Sequence, residues 1–321
     1  MNNKPIVIVW GEPNSVFSEI FIKSIKKYEF KNSIILIGSY KLFLHQAKKL
    51  KLNFNEKLIN KIDQNLKNLK RNKINFLNVN FEYIKPFGVI SNKSSDYINE
   101  CFAKAFEILK KIEICGLING PISKKSFLKK KYYGVTEYIA SKFNQKKIAM
   151  LIFNKELSVC PLTTHIPLGQ IGKFVTKKNI IEKIKIINNF YKKKLKIKPN
   201  IAVTGLNPHC ETISRYNEDE KIIMPAVKFA RKSGINVYGP FPADTIFLKQ
   251  NRKKFNVILG MYHDQVLTPL KTLYEYDAIN ITIGMPFLRL SPDHGPNSMM
   301  VGKNKSSSLS FKKILKFLDN I

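Results

Sequence analysis

Apolar positions recur along the chain in two alternating rhythms. Short continuous runs rich in Ile, Val and Leu occupy residues 6–10, 33–38, 74–79, 114–119, 148–153, 157–162, 201–204, 255–260 and 278–283. Runs of this length and β-branched character predict buried strands. Between them lie stretches with apolar residues three and four apart. The clearest is 96–111, where Ile98, Cys101, Phe102, Ala105, Phe106 and Leu109 share one helical face. Further helices are predicted over 16–28, 179–191, 218–233 and 308–318. The helix over 218–233 stops at Gly234, and the last has serines available as caps. Strands alternating with helices predict an α/β fold built on a largely parallel sheet. The Lys/Asn/Leu-rich stretch 53–75 breaks this rhythm and is expected to be a peripheral insertion.

Composition narrows the function classes. The chain has 321 residues and is 44% hydrophobic, enough for one large catalytic unit or two lobes. Its 55 basic and 23 acidic residues give a net charge of +32, which raises the question of a nucleic-acid partner. The lysines are dispersed, however, and accompany many Asn and Ile residues, a bias that A/T-rich codons produce. Dense runs at 129–131, 192–194 and 252–254 lie beside expected turns or helix ends. Aromatic–basic interleaving and nucleic-acid-binding motifs are missing, so the excess charge reads as solvated surface and no nucleic-acid partner is expected. The four cysteines, Cys101, Cys115, Cys160 and Cys210, form no CxxC and suit a reducing compartment. The N-terminal apolar run ends at Gly11-Glu12-Pro13, too soon for a signal-peptide core. No stretch reaches the roughly 18 apolar residues of a membrane span. A cytoplasmic protein without membrane contact is expected.

Candidate chemistry gathers at strand ends. His165 follows the 157–162 run, His209 follows 201–204, and His263 follows 255–260. Parallel strands send their carboxyl ends to one edge, where open α/β sheets bind ligands. Three imidazoles there could hold Zn²⁺ or a related divalent ion with a position left open. Each could equally be a loop histidine with local hydrogen bonds, since the wide spacing lacks the local signal of HExxH. Asp244, in the rigid GPFPADT segment, and Asp264, beside His263, are candidates to hold an imidazole tautomer; Asp264 could also cap a helix. Lys124, Lys271 and Arg289 near strand ends suit an anionic substrate, although lysine is abundant throughout. GxGxxG, GxxxxGK[ST] and GxSxG do not occur. The residues alone lead to a metal-assisted α/β enzyme acting on an anion, with a three-histidine metal hydrolase as a competing reading.

Taken together and in order, GEP (11–13), NGPISK (119–124), GVTE (134–137), TTHIPL, GLNPH, GPFPADT, MYHDQ, PLK, NITIGMPF and SPDHG resemble the 4-hydroxythreonine-4-phosphate dehydrogenase family over nearly the full chain. That resemblance implies an isocitrate/isopropylmalate dehydrogenase-like fold of two α/β/α lobes with an active-site cleft between them. The lobes are expected at about 1–130 plus 270–321, and 131–269. It implies oxidation of 4-phosphooxy-L-threonine at C3 by NAD or NADP, then decarboxylation to 3-amino-2-oxopropyl phosphate in vitamin B6 biosynthesis. One divalent ion (Zn, Mg or Co) is implied per site, in a homodimer whose active sites draw on both subunits. His165, His209 and His263 become its ligands. Thr136, Lys271, Asn280 and Arg289 become substrate contacts, and Asp244 and Lys271 serve catalysis. Three departures stand out: Val135 where the family usually has histidine in GHTE, Val266 where glycine usually follows MYHDQ, and Cys210-Glu211 where Ala-Gly-Glu is usual. Val135 keeps open a same-family dehydrogenase of a phosphorylated four-carbon sugar acid.

Overall fold

The computed structural model describes residues 4–26, 31–123, 127–128, 132, 134–213, 216–275, 277–292, 297 and 299–321. In chain order its strands and α-helices are β1 (Ile6–Val9), α1 (Phe17–Ile25), β2 (Ile34–Gly38), α2 (Tyr40–Lys49), β3 (Ile59–Ile62), β4 (Ile74–Asn78), α3 (Ser94–Lys111), β5 (Gly116–Asn119), α4 (Val135–Lys142), β6 (Ala149–Phe153), β7 (Ser158–Pro161), α5 (Lys177–Phe190), β8 (Ile201–Thr204), α6 (Met224–Lys232), β9 (Val237–Phe241), α7 (Ala243–Ile246), α8 (Lys249–Arg252), β10 (Val257–Gly260), α9 (His263–Tyr274), β11 (Ile279–Ile283), β12 (Arg289–Ser291) and α10 (Leu309–Leu318). They fall into two compact units, Met1–Ile139 with Phe287–Ile321, and Ala140–Pro286.

In the first unit the strands run β3-β4-β2-β1-β5-β12, and every pair is parallel. Strands covered on both faces need no polar side, and β1, β2 and β5 are buried at every position. Helices α1, α3 and α10 supply the cover, and Phe17, Phe21 and Phe311 pack edge-on or stacked around Trp10 and Phe43. The biased stretch 53–75 contributes β3, a half-exposed edge strand. Buried Asn75 ties this stretch down: it accepts from the Asn60 side chain and the Lys70 amide and donates to the Lys70 carbonyl.

In the second unit the order is β11-β6-β7-β10-β8-β9. The β6–β7 and β6–β11 pairs are antiparallel; β7–β10, β10–β8 and β8–β9 are parallel. The expected helix over 218–233 begins with a π-helical turn, Asp219–Ile223, before α6. The GPF segment belongs to edge strand β9, where a proline costs no interior ladder bond. No helix among the described residues is long and apolar enough to cross a membrane.

Candidate active site

Strand order brings the three histidine-bearing strand ends together. β7 and β8 both pair in parallel with β10, so all three carboxyl ends open onto one edge of the second unit. His165 follows β7, His209 follows β8, and His263 is the first residue of α9 directly after β10. The His165 and His263 rings are neighbours, with centroids 6.4 Å apart. His263 Nδ1 lies 2.6 Å from Asp264 Oδ1. A carboxylate there fixes the proton on Nδ1 and leaves the Nε2 lone pair for a ligand.

His209 is set differently. Its Nδ1 lies 3.9 Å from Asp244 Oδ2, and both side chains are largely exposed. His209 and Cys210 both adopt left-handed backbone, with φ of 55° and 62°. Two successive non-glycine residues in that region are costly and must be held by their surroundings. The buried Asp219 carboxylate is the main restraint nearby. It accepts from the Leu206 amide at 2.7 Å, the Asn207 amide at 3.1 Å and the Asn207 side chain at 2.9 Å. Among the described residues, no three His, Cys, Asp or Glu side chains of the single chain converge closely enough to hold an ion. The adjacent His165–His263 pair, with one tautomer fixed by a carboxylate, has the donor chemistry a divalent ion uses.

Two further expected residues belong to the same unit. Lys271 lies in the last turn of α9, half-buried, and burial lowers its pKa from the ordinary lysine value. Asn280 sits on β11, and its buried Oδ1 accepts no hydrogen bond among the described residues. Val266 is fully buried in this unit's core. A Cβ on Gly260 would come within 2.3 Å of a Val266 methyl, so the strand-end glycine makes room for that valine.

The first unit carries the guanidinium. Arg289 opens β12 opposite Leu117 of β5 and is only 4% exposed. Its Nε donates to Asn119 Oδ1 at 2.8 Å and its Nη1 to Thr136 Oγ1 at 3.1 Å. Burial pulls its pKa down to about 10, and the Glu137 charge opposes that shift. Asn119, quoted in NGPISK without a role, thus orients Arg289. Val135 is the first residue of α4, beside Thr136. Lys124, His294 and the 129–131 lysine run lie outside the described residues. His45 pairs with the Tyr83 hydroxyl at 2.6 Å and takes no part here.

Two α/β units, one built on all-parallel strand pairs and the other on mixed ones, make up an isocitrate dehydrogenase-like fold. An isocitrate dehydrogenase from Methylococcus capsulatus shares that fold at 9% identity, with a TM-score of 0.50 over 99% of this chain and 85% of the other. A family model described as "Pyridoxal phosphate biosynthetic protein PdxA" matches residues 30–317, and the chain belongs to that family. It is 38% identical to a 4-hydroxythreonine-4-phosphate dehydrogenase from Sulfurihydrogenibium sp., covering 93% of this chain and 92% of the relative. It is 30% identical to a D-threonate 4-phosphate dehydrogenase from Pectobacterium atrosepticum, covering 96% and 97%. The crystal structure of a 4-hydroxythreonine-4-phosphate dehydrogenase from Klebsiella pneumoniae matches with a TM-score of 0.81 at 26% identity, covering 99% of each chain.

Proposed function

We propose that this protein oxidises 4-phosphooxy-L-threonine at C3 with NAD or NADP, and that the resulting β-keto acid loses CO₂ to give 3-amino-2-oxopropyl phosphate. The observation that carries the reading is the His165–His263 pair at adjacent parallel strand ends, with Asp264 on His263, in a chain that belongs to this family. His165, His209 and His263 would hold a divalent ion (Zn, Mg or Co), the set being completed in a cytoplasmic homodimer whose active sites draw on both subunits. When bound, that ion supplies Lewis acidity to the substrate oxygen at C3. A bound nicotinamide would supply the hydride acceptor.

The chain's own residues bind, orient and move protons. Asp264 holds the His263 ring in one tautomer. Asp244, facing His209, holds that ring or relays a proton. Burial weakens the hold of Lys271 on its proton, which suits a base that accepts one from the C3 hydroxyl. Arg289, aimed by Asn119 and Thr136, pairs with the phosphate or carboxylate, and the unsatisfied Asn280 Oδ1 accepts from a substrate donor. The test is NAD⁺ and NADP⁺ reduction with 4-phosphooxy-L-threonine, with and without chelator. Turnover that a chelator abolishes supports the reading. Metal-dependent hydrolysis without nicotinamide reduction would instead support the hydrolase.

A second reading, oxidation of a phosphorylated four-carbon sugar acid, is favoured by one feature. Val135 stands where a histidine is usual, removing a side-chain donor. Side-by-side kcat/KM for 4-phosphooxy-L-threonine and D-threonate 4-phosphate separates the two.

A further inference from the structure

Backbone pairing ties the three histidine-bearing strands together only as far as their last residues. Leu162 N–H donates to the Gly260 carbonyl, and Gly205 N–H to the Phe241 carbonyl of β9. Beyond that level the tie is made by side chains. Gln265 Oε1 accepts from the Met261 amide at 2.7 Å and from the Thr204 hydroxyl at 2.8 Å, while its Nε2 donates to the Gly205 carbonyl at 2.8 Å. The Met261 carbonyl in turn accepts from the Thr163 hydroxyl at 2.8 Å. Met261, Thr204 and Thr163 are all buried. Met261 lies two residues before His263, Gly205 four before His209, and Thr163 two before His165.

We infer that Gln265 is a positioning residue: it joins the start of the loop carrying His263 to the start of the loop carrying His209 and so fixes where these two loops leave the sheet before any ion binds. A simpler role is available, because a Gln in the first turn of a helix commonly reaches back to a backbone N–H as a cap. That role accounts for the Met261 bond alone. The other two bonds leave the helix for β8, and both go to its last turn of chain before the histidine loop. Local construction serves the same end. A Cβ on Gly260 would stand 3.1 Å from Gln265 Oε1, so glycine at the end of β10 lets the amide lie close over the strand. Pro269, four residues on within α9, has no N–H to give the Gln265 carbonyl, which loosens that turn of the helix around Gln265.

The inference rests on the reading of His165, His209 and His263 as ligands, so its test separates the two. Gln265→Met removes all three bonds at similar volume. Amide hydrogen exchange on the metal-free, full-length protein should show at least tenfold faster exchange at residues 205–207 as well as at Met261. Cobalt titration should show Co²⁺ held about 10–100-fold more weakly, the usual cost of losing an outer-shell partner, with an altered d–d spectrum. Faster exchange at Met261 alone, with unchanged cobalt affinity and spectrum, is the signature of a helix cap and overturns the inference. Thr204→Val removes one bond at constant shape; should Gln265→Met not fold, weaker cobalt binding and faster exchange at 205–207 in Thr204→Val sustain it, and parental values overturn it. A parent protein that binds no cobalt refutes the metal reading, and exchange at 205–207 then decides the role of Gln265 by itself.

Discussion

Arg289→Lys tests the first unit's contribution most directly. The guanidinium makes two geometrically distinct bonds from one plane, Nε to Asn119 and Nη1 to Thr136. A lysine ammonium is a single point on a flexible stem and cannot reproduce that fork. One contact is lost, and the acceptor most exposed to the loss is Asn119 Oδ1, since Asn119 is 3% exposed and little water can replace the donor. A hydrogen bond to a charged group is worth roughly 1.5–3 kcal/mol. Part of that returns through the remaining contact, so a destabilisation of about 2 kcal/mol is expected. Urea unfolding followed by circular dichroism measures it. The two units need not unfold together, so the first transition and its slope are the quantities compared. In the catalytic assay the same substitution should raise KM for the phosphorylated substrate by about 10-fold or more, since 1.4 kcal/mol corresponds to a factor of ten. If stability changes by less than about 0.5 kcal/mol, the ordinary surface value, and KM is also unchanged, Arg289 neither organises this part of the unit nor meets the substrate.

Three other outcomes are expected. Asp219→Asn keeps the shape but turns an amide NH₂ toward donors of Leu206 or Asn207; with charge assistance also lost, it should cost about 2–4 kcal/mol in denaturant unfolding, and parental stability would refute its role in holding the His209 loop. Lys271 has a lowered pKa, so its proton leaves below pH 10.5. The unfolded chain holds that proton between the folded pKa and 10.5, and Lys271 therefore makes stability rise with pH across that window. If Lys271 is the base, kcat/KM should climb with pH through an apparent pKa below 10.5, and Lys271→Met should abolish that limb. Val135→His should lower KM for a phosphorylated substrate with little change in kcat, because phosphate lies remote from the carbon that gives up hydride; a large fall in kcat with metal content intact would mean a pocket shaped for another substrate.

What could be read from the chain follows from how each feature is encoded. β8 lies at residues 201–204 as expected, because four buried apolar residues between polar loops leave little choice. β3, with two polar residues in INKI, and the three-residue β12 gave no periodic signal; their partners in the sheet make them strands. α9 was hidden by a polar first turn and an internal proline, although Val266, Leu267, Leu270 and Tyr274 follow helical spacing. The histidines were legible because a strand end can be located by eye along the sequence. Asp219 and Gln265 were not, although the latter stands in the quoted MYHDQ. Their roles consist largely of bonds to backbone and hydroxyl groups 12 to 61 residues away, which hydrophobic periodicity does not encode. Arg289 and Lys271 stood out from so many cations only through the family resemblance.

The three departures from the family pattern differ in what the surrounding chain can absorb. Val266 replaces a glycine, yet its side chain is buried against Gly260 and joins the apolar cluster of the second unit, so the added methyls gain packing. Cys210 and Glu211 shorten a loop by one residue. The loop has left-handed backbone at His209 and Cys210, and Asp219 anchors the residues just before them. The Cys210 thiol, pushed up to about 11 chiefly by burial, stays protonated at neutral pH and behaves as a packing group. Val135 is different in kind. It begins α4 partly exposed, and no packing gain offsets the loss of an imidazole donor. The adjacent Thr136 hydroxyl is already engaged by Arg289 as an acceptor, which leaves its own proton to be donated elsewhere. A substrate that uses Thr136 and Arg289 together would need no histidine at position 135, and one that requires a cation there would be bound poorly. Of the three changes, then, Val135 is the one that would bear on substrate choice under the proposed function, and its neighbours hold one hydroxyl and one guanidinium.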